Sequence, residues 1–269
     1  MEKIFQTELA GRPFIVETGR IAQFANGSCL IRYGETVILS TITASPEPRQ
    51  GVDYFPLSVD YEEKMYSVGK FPGGFIKREG RPTEKAILTS RVIDRPLRPL
   101  FPKDLRNSVA VNNLVLSVDQ DCSPEIAAMI GTSIATCISD IPFNGPIAGV
   151  HVGLVDGEIV INPDEKQRET SEMIITLAGT SKKVCMIEAN ANEVPDDKVF
   201  EGIVEGHKVI QELCTFINSI VAEIGKEKFA YESNKLPEAV TAATKDFAYE
   251  TMRNAVLAAD KSERDAAVS

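Results

Sequence analysis

A chain of 269 residues with a formal net charge of −10, 43% hydrophobic and 25% charged, has enough apolar material to pack one large or two ordinary domains. No uninterrupted apolar run approaches the ~18 residues of a membrane span. The N-terminus, MEKIFQTELAGRPF, lacks the basic start and apolar core of a secretory signal, so the expected location is cytoplasmic, with no membrane contact.

Residues 13–43 read as strands. Cys29, Ile31 and Tyr33 alternate with Leu30 and Arg32, and Val37, Leu39 and Thr41 with Ile38, Ser40 and Ile42, around a turn at Gly34-Glu35. Gly19 and Gly27 mark the preceding turns. A loop at 45–51 and a strand at 55–62 follow. Residues 69–80, with Pro72-Gly73-Gly74, read as a mobile loop, and Thr83 caps a helix that the prolines at 96 and 99 end near Asp94 or Arg95. Residues 108–118 read as a buried strand. A helix over 124–139 starts with Ser123 as N-cap and Pro124 at N1, with Ala127, Ile130, Ile134 and Cys137 as its inward stripe. Strands are expected at 147–155, 158–161, 172–178 and 183–189, with INPDEKQRET as a solvated turn. A long helix over 196–224 carries an unbroken apolar stripe that includes His207, read as a satisfied core residue. Gly202 and Gly206 let this helix approach its neighbour closely.

The segment after Lys226 turns polar. A first domain over 1–225, a linker at 226–237 and the start of an all-helical domain over 238–269 are expected, with the helix at 238–260 and the helix-like tail cut inside that second domain. Strand hairpins interleaved with helices point to an α+β layered domain rather than a parallel βαβ fold.

Five cysteines without C-x-x-C spacing read as small buried hydrophobes rather than disulfide or zinc ligands. Two histidines, His151 and His207, leave little material for a Ser-His-Asp triad or a His-based metal site. Asp119 and Asp121 are candidate metal ligands, with solvation or capping as the favoured alternative.

The charge is unevenly spread. Lys64–Arg106 holds eleven basic and four acidic residues, a net +7, which leaves −17 for the remainder. A basic island in an acidic chain fits an anionic partner, and its length suits a polyanion better than a small phosphate. Within FPGGFIKREGRP, Phe75 supplies a stacking face, and Lys77, Arg78 and Arg81 supply cations, the pairing that holds single-stranded RNA; an ordinary surface loop is the alternative. The glycines match neither a P-loop nor a dinucleotide fingerprint. Arg91 and Arg95 share a helix face, from which they either grip phosphates or pair with acids such as Asp94 and Asp104.

The run from Asp53 to Pro102, the N-terminal GRPFIVETGRIAQFANGSCLIRYGETVILSTIT, and the stretches IEANANEVPDD and EGHKVIQEL resemble the first ribonuclease-PH-like core of the bacterial polyribonucleotide nucleotidyltransferase family over nearly the whole chain. The resemblance implies a ribonuclease-PH-like layered β/α core (ribosomal S5 domain 2-like) followed by part of an all-α segment. It implies a longer polypeptide with two such cores and KH and S1 domains, assembled as a homotrimeric ring with possible RNA-degradation partners. The implied reaction is phosphorolysis of single-stranded RNA by inorganic phosphate, aided by Mg2+. The phosphate site and metal ligands are expected in the second core, so no catalytic or metal residue is assigned to this chain. The family's RNA-guiding loop commonly reads Phe-Phe-Arg-Arg; here it is Phe75-Ile76-Lys77-Arg78. Arg81, Arg91, Arg95 and Arg98 match basic positions of the family and are carried over as RNA-facing. The alternative is a non-catalytic RNA-binding ring or scaffold subunit of an exosome-like assembly.

Overall fold

The alternation between residues 13 and 43 becomes the middle of a six-stranded sheet in the computed structural model, which describes residues 2–231, 233 and 235–268. Its strands are β1 (Lys3–Leu9), β2 (Arg12–Thr18), β3 (Gly27–Tyr33), β4 (Thr36–Pro48), β5 (Leu57–Glu63) and β6 (Asn107–Ser117), ordered β1-β2-β3-β4-β6-β5. All neighbours are antiparallel except β5 and β6. The sequence reading missed β1, which pairs with β2 around Ala10 and Gly11, both at positive φ. A second, antiparallel sheet takes the order β10-β9-β7-β8, from β7 (Ala148–Val155), β8 (Glu158–Ile161), β9 (Met173–Gly179) and β10 (Val184–Ala191).

Helix α1 (Glu84–Leu97) packs on β5, and α2 (Pro124–Ile138) packs against β3 and β4, against β7, and against the long helix α4 (Asp196–Ile224). The expected one-sided stripe on α2 is too narrow, since every residue from Ile126 to Ile138 is buried. A helix covered on all sides needs apolar residues all round, and its few polar side chains must be satisfied. Thr132 Oγ1 donates to Asn113 Oδ1 at 2.9 Å, and Ser133 Oγ accepts from Ile147 N at 3.0 Å. Each fully buried isoleucine here contributes roughly 1.5–3 kcal/mol. On α4, a Cβ at Gly206 would lie 2.7 Å from Val152 Cγ2, so glycine is what lets this helix lie close on β7.

Between β8 and β9, the stretch read as a turn contains a short helix, α3 (Glu165–Thr170). Asp164 and Gln167 form a reciprocal capping box that satisfies its first N–H groups, and this side-chain chemistry outweighs the polar composition. Of the five cysteines, all free, Cys29, Cys122, Cys137 and Cys214 are buried as expected; Cys185 is exposed. Burial pushes the thiols of Cys29, Cys122 and Cys137 up to about 12 and that of Cys214 to about 11.

The chain divides into two compact units, Met1–Tyr231 and Glu232–Ser269. In the first, residues beyond α4 run along the end of α2. Lys226 N donates to Ile138 O at 3.1 Å, Phe229 N to Asp140 O at 2.7 Å, and Tyr231 Oη to Asp104 Oδ1 at 3.0 Å. The second unit consists of α5 (Glu238–Val256) and α6 (Lys261–Val268). The single helix expected over 238–260 is interrupted because Asp260 Oδ1 accepts from Ser262 N and Glu263 N and starts a new helix.

Candidate nucleic-acid interface

The basic loop grows from the end of β5. The chain leaves Glu63 into a 3₁₀ turn, Met65–Val68, which Gly69 ends in the left-handed conformation at φ 70°. Val118 N donates to Ser67 O at 3.2 Å and ties the turn to the segment after β6. In the loop that follows, Phe75, Ile76, Lys77, Arg78 and Arg81 are all exposed. Lys77 sits at φ 52°, sparsely populated for a side-chain-bearing residue, with its ammonium 5.4 Å from the Phe71 ring centroid.

Glu79, the loop's one acid, folds back. Its Oε1 accepts from Met65 N at 2.8 Å, and its Oε2 lies 3.0 Å from Lys64 Nζ. The Met65 N–H, and then the Lys64 ammonium, hold its carboxyl below the usual range. The loop therefore faces outward with an aromatic, an aliphatic and basic side chains, its only carboxylate spent at its own base.

Thr83 caps α1 as expected, its Oγ1 accepting from Ala86 N at 3.1 Å. The helix does not stop before Pro96 but runs through it to Leu97, and Arg98 N donates to Asp94 O. The proline sits in the last turn, where its missing donor removes only one bond, and burial of Pro96 and Leu97 holds it there.

The arginines of this region fall into different settings. Arg98 donates to both Asp94 oxygens, at 3.1 and 2.8 Å, and to the carbonyls of Phe55 and Leu57, tying α1 to the start of β5. Arg95 pairs with Glu188 of β10. Arg91 is exposed and lines, with Arg98, Asp94 and Asp60, a cleft of about 480 Å³ between α1 and β5. Among the described residues, the loop's Arg78 and Arg81 and the helix's Arg91 are exposed without an ion pair, whereas Arg95 and Arg98, also exposed, are engaged in bonds within the fold.

A second polar cluster, not foreseen from the sequence, lies at the start of α2. Ser123 is the N-cap by position, but its side chain makes no capping bond. It instead meets His151 Nε2 at 3.2 Å, while Thr176 Oγ1 meets Nδ1 at 3.1 Å. Burial, with Arg168 nearby, holds the His151 imidazole down at about 4. Nothing in the spacing of 123, 151 and 176 announces this cluster; the pairing of β7 with β9 sets Thr176 beside His151, and the packing of α2 on β7 brings Ser123 to it.

Asp119 accepts from Asp121 N at 3.0 Å and Glu35 N at 3.2 Å, and Asp121 Oδ1 accepts from Glu165 N at 3.0 Å. Burial alone would raise the Asp119 carboxyl, yet these N–H donors bring it below its usual range. Both aspartates cap backbone, the favoured alternative, and among the described residues no three His, Cys, Asp or Glu side chains are grouped to fit a metal ion.

Comparison with known proteins places this arrangement. Residues 10–142 match the model of the 3′ exoribonuclease family, domain 1, and residues 145–209 match domain 2 of the same family. The chain belongs to the 3′ exoribonuclease family. Polyribonucleotide nucleotidyltransferase of Ruminiclostridium cellulolyticum is 66% identical over 269 residues, which is 100% of this chain and 38% of that protein. The enzymes of the same name from Clostridioides difficile and Geobacillus kaustophilus are 55% and 52% identical, over 97% and 99% of this chain and 37% of each protein. The chain therefore spans under two fifths of the length of these relatives. The exoribonuclease fold itself is shared with rice Rrp46, at a TM-score of 0.63 and 16% identity, over 77% of this chain and 94% of that one. This family fold bears out the α+β, ribonuclease-PH-like expectation.

Proposed function

We propose that this chain is the amino-terminal part of a longer 3′-to-5′ exoribonuclease that degrades RNA by phosphorolysis, and that its own contribution is to hold single-stranded RNA. In that reaction an oxygen of inorganic phosphate forms a bond to the terminal phosphorus. The bond to the preceding 3′ oxygen breaks, and a nucleoside diphosphate leaves. Mg2+ and the phosphate site belong, in this reading, to the remainder of the protein, which works as a cytoplasmic homotrimer open to RNA-degradation partners. The names of its relatives favour the enzyme over a non-catalytic scaffold subunit.

The observation that carries the reading is the loop, on which Phe75, Lys77, Arg78 and Arg81 are exposed together while Glu79 is turned to its base. Phosphate contacts release counterions, and for single strands the slope of log affinity against log salt is about −0.7 per contact. Lys77→Ala with Arg78→Ala is expected to weaken RNA binding and flatten that slope in a salt titration. An unchanged slope counts against the loop.

A further inference from the structure

A carboxylate at the centre of a basic RNA loop is an electrostatic cost, because it repels the phosphates that its neighbours attract. Glu79 stands between Arg78 and Arg81, yet it meets neither of them. It spans the loop's entry instead, accepting from Met65 N at 2.8 Å with one oxygen and facing Lys64 Nζ at 3.0 Å with the other. Lys64 also pairs with Glu62 at 2.5 Å, so its ammonium is engaged by two carboxylates rather than left as a free cation. The turn that offers the Met65 N–H is itself anchored through Ser67 O. Within the loop, Lys77 is in the left-handed region with its ammonium over Phe71. Arg78 and Arg81 are exposed and make no hydrogen bond or ion pair among the described residues.

We propose that Glu79 is a positioning residue for RNA: its carboxylate latches the loop's base to Met65 and Lys64, Lys77 braces the loop against Phe71, and Arg78 and Arg81 are the cations left to meet phosphate. The proposal rests on the RNA reading above and divides the labour within it. A loop closed before binding loses less conformational freedom when RNA arrives, so the latch acts on affinity without itself touching the ligand. This overturns the simple charge expectation, under which removing a negative charge tightens a polyanion.

The test measures RNA affinity across a salt series for the 269-residue chain and four variants, with amide exchange at Met65 followed in parallel. Glu79→Ala removes both latch contacts. Glu79→Gln removes the charge but keeps an oxygen able to accept from Met65 N. The latch predicts that Glu79→Ala weakens binding about three- to tenfold with the salt slope unchanged and Met65 exchange accelerated, and that Glu79→Gln, which keeps the Met65 contact but loses the Lys64 ion pair, weakens binding less than Glu79→Ala does. It predicts that Lys77→Ala also lowers affinity at constant slope, whereas Arg78→Ala reduces the slope by about 0.7. If Glu79→Ala binds as tightly as the parent or tighter, the latch is wrong, even where Arg78→Ala confirms RNA contact. A slope loss in Lys77→Ala equal to that of Arg78→Ala overturns the brace. If the parent shows no salt-dependent RNA binding, the RNA reading fails and takes the proposal with it; Met65 exchange then still reports whether the latch exists.

Discussion

His151 carries a pH dependence whose sign follows from its surroundings. Its imidazole is held at about 4, first by burial and then by Arg168, whose guanidinium donates to the carbonyls of Pro163 and Gln120. Glu125, 3.9 Å from Nε2, would favour an imidazolium and does not prevail. Between about pH 4 and the unfolded value of about 6.5, the unfolded chain binds the extra proton. The stabilisation is thus complete above about 6.5 and is lost as pH falls toward 4, amounting to about 3 kcal/mol at most. Urea unfolding at pH 7.5 and 4.5 is expected to show a shallower loss for His151→Gln than for the parent. An equal loss would remove His151 as the cause. Position 123 was legible as an N-cap because serine before proline opens helices. Its turn toward His151 was not, since that contact depends on the packing of α2 on β7, which local sequence does not show.

At the scale of elements, the ends of α2 set how the layers join. Its last turn points three carbonyls at Lys228, whose ammonium donates to Thr136 O, Cys137 O and Ser139 O at 3.2, 2.9 and 2.5 Å. A cation at a helix C-terminus also complements the macrodipole. Lys228→Met is expected to cost about 1–3 kcal/mol, read from the urea midpoint, as charged hydrogen bonds are removed from partly buried carbonyls. Near the same end, Gly27 opens β3, and a Cβ there would lie 2.0 Å from Ala135 O. Gly27→Ala is expected to destabilise by about 1–3 kcal/mol in the same measurement, since strand and helix must part. The glycine was read as a turn marker, and Gly19, at φ 81°, is one. Gly27 instead permits a close approach, a demand made by tertiary packing and invisible in local sequence. Periodicity gave most core strands and α4 to within about two residues, but β4 runs on to Pro48, through the first part of the stretch at 45–51 expected as a loop, because it pairs with β6 as far as Asn107. It failed for β1, whose half-exposed edge pattern lies outside the stretch read as strands, and for α3, whose capping box was read as a solvated turn.

At the scale of the whole molecule, the two units differ in kind. Met1–Tyr231 has a buried core built around α2, whereas neither α5 nor α6 contains a buried residue. Helices of this length without an apolar face covered are marginal in water. Amides of α5 are expected to exchange orders of magnitude faster than those of α2, and comparable protection in the two would contradict the assignment of stability to the first unit. The charge island was the part of the candidate site most legible in sequence, because net charge needs no fold to be counted. Which cations are tied up in ion pairs was not legible, since Glu188 and Asp94, which engage Arg95 and Arg98, are placed by β10 and by the turn of α1. The central claim is that this chain holds RNA while the bond is broken elsewhere in a longer protein. It is tested by incubating the chain with 3′-labelled RNA, inorganic phosphate and Mg2+, and following binding and nucleoside diphosphate release together. Salt-dependent binding without release is the predicted result; robust diphosphate release by this chain would contradict it.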